Sequence, residues 1–270
     1  MLPVVSHEAR THRWPYVTIC LIGLNVLVFF FELSMGPRFA PFLQEWGLVP
    51  ARVNAEVTAH NVLTVVSSMF LHVSVVHLVT NLWFLYVFGD AVEDAFGACW
   101  FLALYLLSGF FGGMTFVWLN GGAPLPAVGA SAAISGVMAA SLVLWPRARL
   151  RVPGALLIAF MILLVNDLLA GTHLSLRWRV GLLVVLGVAL CGIVVELGPG
   201  LVKGMVRGIR IPAWFVLGMY LAMQFFNGVL ALINPAFGTS VGWWAHVGGF
   251  AAGVVFAWVF PKDPVVLAEG

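Results

Sequence analysis

The chain has 270 residues, of which 62% are hydrophobic and only 9% are charged. Soluble domains carry about 25% charged residues, so this composition excludes an ordinary soluble protein and predicts an integral membrane protein. A formal net charge of +2 gives no reason to expect a nucleic-acid partner. The apolar runs are continuous rather than alternating, which favours membrane-spanning helices over the strands of a membrane barrel.

The first half of the chain contains four predicted spans. A helix needs roughly 20 mostly apolar residues to cross a bilayer. The apolar run 63–88 is longer than that, and Ser74 within it is a typical N-cap residue, so we expect the second span to begin there. The connection 34–61 is broken by prolines and is expected to pack at the membrane face. The first, third and fourth predicted spans cover about 16–31, 99–119 and 128–144, and the second runs from about 74 into the acidic stretch 90–94.

The second half contributes two more spans, over about 211–233 and 241–260. Between them and the fourth span, residues 154–200 hold two apolar runs that either cross the bilayer as a pair or dip into it from one side. The predicted fold class is therefore an all-α membrane protein, a polytopic helical bundle with a six-span core plus an inserted hydrophobic hairpin. We treat residues 1–270 as a single domain. Lysine and arginine are enriched on the side that holds both termini, which favours cytoplasmic termini.

Polar side chains occur at matching depths on three of these spans. His77 and Asn81 lie on the second, Ser131 on the fourth and His246 on the last. In the predicted topology all four lie roughly 4 to 11 Å below the outer ends of their helices, at 1.5 Å per residue. Polar groups inside a bilayer are costly and usually face the protein interior or a wet cavity. The pattern predicts one shared cavity that opens to the outer side.

These residue types suit acyl transfer. A serine hydroxyl becomes a good nucleophile when an adjacent base takes its proton, and histidine suits that role near neutral pH. Ser131 and His246 form such a pair if their helices touch, and neither helix carries a carboxylate, so we predict a dyad. His77 and Asn81 are four residues apart on one helical face and can donate hydrogen bonds to a developing oxyanion. The Ser131 amide, near a helix N-terminus, is a third candidate donor.

Small residues predict how the two catalytic helices meet. Gly249 and Gly253 form a small-xxx-small face on the last span, and Gly136 with Ala140 offers a similar face on the fourth. Such faces let helix backbones approach closely in a membrane. We therefore expect these two faces to pack together and to bring Ser131 toward His246.

The motifs resemble those of the rhomboid intramembrane proteases. The segments that carry the resemblance are Gly-Ala-Ser-Ala-Ala-Ile-Ser-Gly at 129–136, His-x-x-x-Asn at 77–81, Ala-His-x-Gly-Gly at 245–249, Gly-x-x-x-Glu-x-x-x-Gly at 89–97 and the loop 46–52. The resemblance implies that Ser131 is the nucleophile and His246 the base, with His77, Asn81 and the Ser131 amide as the oxyanion hole. It implies single-span membrane proteins as substrates, cut in or near the bilayer, and no metal or other cofactor. It also implies a bacterial inner-membrane location and assigns no oligomeric state.

Three features depart from the family pattern. Ala132 stands where glycine usually follows the serine, and its methyl group is expected to crowd the cavity or tilt the nucleophile. The Trp-Arg pair found in the first loop of some members is absent before His72. The resemblance marks His72 as a structural or cavity-lining histidine. Residues 154–200 are interpreted as an insertion between the fourth and fifth spans of the family.

Two other functions stay open on the sequence. A rhomboid-like pseudoprotease would bind membrane clients without cutting them, and Ala132 and the insertion motivate that alternative. A small transporter or proton channel would be lined by His72, His77 and His246. Transporters often contain inverted repeats with broken helices in both halves, and this chain has no clear internal repeat.

Overall fold

A computed structural model describes residues 13–152, 209–233 and 241–264. The predicted insertion 154–200 lies outside the described residues. The described residues fall into two compact units, one with residues 149–152 and 209–212 and the other with residues 13–148, 213–233 and 241–264. The second of these units contains every residue predicted for the site.

This larger unit is built from helices. Four of them, α1, α5, α6 and α8, are long and apolar enough to cross a membrane, and α7 and α9 are shorter apolar helices. These six coincide with the six predicted core spans, although α7 begins at Ser131 rather than near 128. The predicted fold class, a helical membrane protein, is confirmed. The helices are α1 (Tyr16–Ser34), α2 (Phe39–Trp46), α3 (Pro50–Ala55), α4 (Ala59–Ser67), α5 (Val75–Phe96), α6 (Ala98–Leu119), α7 (Ser131–Leu144), α8 (Ala213–Ile233) and α9 (Trp243–Val259).

The predicted start of the second span is confirmed. Ser74 is the N-cap of α5, and its hydroxyl accepts a hydrogen bond from the His77 N–H at 3.2 Å. Before this cap, the apolar run forms the short helix α4, which Thr58 caps through a 3.1 Å bond from the Asn61 N–H, and then a 3-10 turn at Ser68–Phe70. The cap therefore fixes how far His77 and Asn81 lie from the end of α5.

The acidic end of α5 caps the start of α1. The Glu93 carboxylate accepts hydrogen bonds from the Val17 N–H at 2.9 Å, the Thr18 N–H at 2.8 Å and the Thr18 hydroxyl at 2.8 Å. A carboxylate at this position satisfies orphan N–H groups and complements the helix dipole. Gly89, one turn earlier, leaves the space that Thr18 fills, because an added methyl group would come within 2.8 Å of the Thr18 hydroxyl oxygen.

The same end of the bundle also receives the end of α9. The Asp263 N–H donates to the Ala95 carbonyl at 2.8 Å, and the Arg13 guanidinium pairs with the Asp263 carboxylate at 2.9 Å. Residues that flank the start of α1 and the end of α9 therefore contact one another. This places the two described chain ends of the unit on one side of the bundle.

Helices α6, α7 and α9 meet through small residues. A methyl group added to Gly249 would collide with the Ala132 carbonyl oxygen, and one added to Gly253 would collide with the Gly136 carbonyl oxygen. The predicted close approach of α7 and α9 at Gly136 is confirmed, and the contact face of α7 begins one turn earlier, at Ala132. In the register that these backbone contacts define, Ser131 at the start of α7 lies beside His246 of α9.

The smaller unit contains a strand pair that the sequence analysis did not predict. Strands β1 (Arg149–Val152) and β2 (Ile209–Pro212) are antiparallel, with Arg149 opposite Pro212 and Val152 opposite Ile209. Both segments alternate polar and apolar residues with the period of a strand. Each strand is only four residues long, and its arginines were interpreted as basic residues that flank a membrane span.

Candidate active site

The Ser131 hydroxyl and the His246 imidazole lie within hydrogen-bond distance. Ser131 Oγ is 2.7 Å from His246 Nε2, although the two residues are 115 positions apart. Both side chains are half-buried. Since Ser131 begins α7 and His246 lies in the first turn of α9, the two helix ends create the pair. A nucleophile needs its base at such a distance to lose its proton as it attacks.

The turn before α7 aims Ser131 into the site. Gly129 has a φ of +125°, a backbone conformation that favours glycine. Its N–H donates to the Ser68 carbonyl at 2.8 Å, which ties this turn to the segment before α5. As the first helical residue, Ser131 presents an N–H with no acceptor inside its own helix, at the positive end of the helix dipole.

His77 and Asn81 lie beside that turn. A methyl group added to Gly129 would come within 2.7 Å of His77 Cε1 and 3.5 Å of Asn81 Nδ2. Asn81 Nδ2 and His77 Nδ1 are buried and have no hydrogen-bond partner among the described residues. Buried polar groups are usually paired. Two unpaired candidate donors beside the residues that lead into Ser131 fit a site that stabilises negative charge.

Two further contacts to His246 come from α8, and the sequence analysis missed both. His246 Nδ1 is 2.7 Å from Gln224 Oε1, and the Gln224 side chain is only 3% exposed. The Tyr220 ring lies 6.3 Å from the His246 ring, centre to centre, and its hydroxyl is 2.7 Å from Ser135 Oγ. An available signal was the i, i+4 spacing of Tyr220 and Gln224, two polar groups on one face of an apolar helix.

His72 packs beneath this arrangement. It is fully buried, and its ring lies 5.1 Å from the His77 ring, centre to centre. Its N–H points at both oxygens of the buried Glu32 carboxylate, each at 3.2 Å. Burial, and secondarily the nearby His77, lowers the pKa of His72 to about 4, so its side chain is neutral near pH 7. A neutral buried ring against His77 fits a structural role.

Ala132 directs its methyl group into a helix interface. The residue is 8% exposed, and a methyl group added to Gly112 of α6 would lie 3.0 Å from Ala132 Cβ. The space beside Ala132 is therefore available because Gly112 has no side chain. The extra methyl group that departs from the family pattern is accommodated between α6 and α7.

The comparisons with known proteins agree with this fold and these motifs. The Rhomboid domain family matches residues 59–197, which include His77, Asn81 and Ser131. Rhomboid protease GluP of Bacillus subtilis is 32% identical over 130 residues, which cover 47% of this chain and 24% of that protein. Rhomboid protein 1, mitochondrial, of Saccharomyces cerevisiae is 32% identical over 150 residues, which cover 52% of this chain and 41% of that protein.

The fold and the helix-end motifs define a polytopic helical membrane protein with a serine and a histidine in contact. The chain belongs to the rhomboid family, since the family match spans half of its residues. The matched region spans less than half the length of either curated relative. His246, Gln224 and Tyr220 lie C-terminal to the family match.

Proposed function

We propose that this chain is an intramembrane serine endopeptidase that cleaves single-span membrane proteins in or near the bilayer. The observation that carries the proposal is the 2.7 Å separation of Ser131 Oγ and His246 Nε2. Membership of the rhomboid family and the name of the Bacillus subtilis relative, a rhomboid protease, support it. Ser131 is the nucleophile and His246 the general base.

The acylation step follows from the geometry of the pair. His246 Nε2 takes the proton of the Ser131 hydroxyl as Oγ attacks the carbonyl carbon of the scissile peptide bond. The carbonyl oxygen becomes an oxyanion that the Ser131 N–H, Asn81 and His77 stabilise. Protonated His246 then gives its proton to the leaving nitrogen, the C–N bond breaks, and an acyl-enzyme ester remains.

Deacylation uses the same groups in the reverse direction. His246 takes a proton from a water molecule, the hydroxyl attacks the ester carbon, and the Ser131 oxygen leaves with the proton that His246 returns. The half-buried state of Ser131 and His246 supports access of water to a site that lies among apolar helices. Water supply at this depth is essential, because hydrolysis consumes one molecule per cleavage.

We further propose that the chain lies in the bacterial inner membrane with both termini in the cytoplasm. The distribution of Lys and Arg along the sequence favours this orientation. Arg13 precedes α1 and Asp263 follows α9, so their contact supports placing the two chain termini on the same side of the membrane. In this orientation Ser131 and His246 lie at the ends of α7 and α9 that face away from the cytoplasm.

A cleavage assay in proteoliposomes tests the enzymatic proposal. Purified chain is reconstituted with a labelled single-span membrane protein, and fragments are counted over time. The native chain is expected to produce fragments, and Ser131→Ala is expected to abolish them. Ser141→Ala is the matched control, because Ser141 is a buried serine on the same helix. Full activity of Ser131→Ala would refute the proposal.

The alternative is a pseudoprotease that binds membrane clients without cutting them. Ala132 motivates it, because glycine is the usual residue beside the nucleophile in this family. The alternative predicts that the native chain and Ser131→Ala bind a membrane client equally and that neither produces fragments. The Ala132 methyl group packs against Gly112, and this packing favours the protease.

A further inference from the structure

A histidine that acts as a general base must hold one tautomer. Nε2 must be unprotonated to accept the Ser131 proton, so Nδ1 must carry the hydrogen. In serine hydrolases a buried carboxylate usually accepts this Nδ1–H bond and sets the tautomer. The titratable side chains that face His246 in the described part of the chain are Tyr220 on α8 and His77 on α5, and neither is a carboxylate.

We propose that Gln224 is the positioning residue of this site and that it fixes the tautomer and ring orientation of His246. This inference rests on the proposed protease function. Gln224 Oε1 lies 2.7 Å from His246 Nδ1, on the opposite side of the ring from the 2.7 Å contact between Nε2 and Ser131 Oγ. With the amide oxygen as acceptor, Nδ1 donates and Nε2 is left free to accept from serine. The site is therefore a serine–histidine–glutamine triad in which the third member is neutral and only accepts a hydrogen bond.

The surroundings hold Gln224 in this role. Its side chain is 3% exposed, so little water competes for the Nδ1–H bond. Tyr220, one turn earlier on α8, lies against the His246 ring and is anchored by the 2.7 Å contact with Ser135 of α7. Helix α8 thus contacts the imidazole with two side chains. Gln224 fixes which ring nitrogen carries the hydrogen, and Tyr220 limits the tilt of the ring. Helix α6 faces α9 with Gly112 and Thr115, which bring no charge.

A neutral acceptor has a chemical consequence that separates it from a carboxylate. A carboxylate stabilises the imidazolium that forms during acylation by a charge–charge interaction, whereas an amide oxygen stabilises it only through a dipole. Replacing Gln224 with glutamate keeps the side-chain length and adds that charge. The protonated histidine of the free enzyme is then stabilised too, so a higher pH is needed to free the base.

Two substitutions and a matched control test the inference in the proteoliposome assay. In Gln224→Met, an apolar chain of similar length cannot accept the Nδ1–H bond, and kcat is expected to fall roughly 10- to 100-fold with little change in KM. In Gln224→Glu, the acid limb of the pH–rate profile is expected to move to higher pH. Asn227→Leu is the control, because the Asn227 amide on the same helix donates to the Met223 carbonyl of its own helix, at 2.9 Å. It is expected to keep the native kcat and pH profile.

The outcomes separate this inference from the protease proposal. If the native chain cleaves and Ser131→Ala does not, but both Gln224 variants match Asn227→Leu in kcat and pH profile, only the role of Gln224 is refuted. If Ser131→Ala cleaves like the native chain, the protease proposal itself fails. If Gln224→Met shows no thermal unfolding transition, that variant is not folded, and the pH profile of Gln224→Glu alone tests the role of Gln224. A folded glutamate variant with an unmoved acid limb then overturns the role of Gln224.

Discussion

Gly253 of α9 packs directly on the backbone of Gly136 in α7. A methyl group added to Gly253 would collide with the Gly136 carbonyl oxygen and come within 2.6 Å of its carbonyl carbon. One turn earlier, Gly249 lies in the same way against Ala132, the residue after the candidate nucleophile. Backbones this close lock the axial register of α7 and α9. That register sets the distance between Ser131 and His246.

The Gly253→Ala substitution is therefore expected to damage both stability and activity. Overpacking a close helix contact costs about 1–3 kcal/mol, and the shift of α9 moves His246 away from Ser131. Thermal unfolding in detergent and the cleavage rate measure the two effects. Gly23→Ala on α1 is the control, because nothing lies within 4 Å of an added methyl group there. Equal melting temperatures for the two variants would contradict the described packing.

Asn81→Ala is expected to reduce catalysis without reducing stability. The buried Nδ2 group has no hydrogen-bond partner among the described residues, so its removal breaks no hydrogen bond of that group within the described part of the protein. Loss of one oxyanion donor typically lowers kcat by about 10²–10³. Asn61→Ala is the control, since Asn61 Nδ2 donates to the Glu56 carbonyl at 2.6 Å. This substitution is expected to lower stability and to leave kcat unchanged. A kcat for Asn81→Ala within a few-fold of native would remove Asn81 from the oxyanion hole.

Glu93→Ala is expected to destabilise the bundle. The substitution leaves the N–H groups of Val17 and Thr18 and the Thr18 hydroxyl without their acceptor. Each orphaned buried donor costs about 1–3 kcal/mol, although water at the end of the bundle recovers part of this. Glu45→Ala is the control, since Glu45 forms an exposed pair with His60, and exposed pairs contribute little. Equal denaturation midpoints for the two variants would contradict the capping role.

Ala132→Gly is expected to leave cleavage within a few-fold of the native rate. The Ala132 methyl group lies beside Gly112 in the interface of α6 and α7. Its removal is therefore expected to add little space around the Ser131 hydroxyl. Glycine inside a helix costs about 0.5–1 kcal/mol, which a lower melting temperature would register. A large gain in cleavage rate would mean that the methyl group does crowd the nucleophile.

The sequence predicted the parts of this molecule that local chemistry determines. Ser74 was identified as a cap because serine commonly accepts an N–H bond at a helix start, and the six core helices followed from apolar length. The small-residue faces of α7 and α9 were identified and pack together at Gly136, but the part that Ala132 plays in this contact was not predicted. Small residues recur every four positions on α7, so the sequence alone does not specify which of them face Gly249 and Gly253.

Gln224 and Glu93 illustrate what the sequence did not predict. Gln224 contacts His246 because α8 packs on α9, and the spacing of Tyr220 and Gln224 indicates a polar face on α8 without naming the helix that it contacts. Glu93 lies in the motif at 89–97, but its partners on α1 are 75 and 76 residues away. Such contacts are set by tertiary packing, so they become visible only when the helices are placed. The roles of Ser131, His246, His77 and Asn81 stay predictions until activity is measured.

Covalent labelling tests the central claim most directly. A fluorophosphonate probe reacts with a serine whose hydroxyl is activated by a base, and peptide mass spectrometry locates the modified residue. The account predicts that the native chain in membranes is labelled at Ser131 and that His246→Ala, with an unchanged melting temperature, loses the label. Labelling that occurs at another serine, or that persists at Ser131 in His246→Ala, would contradict it.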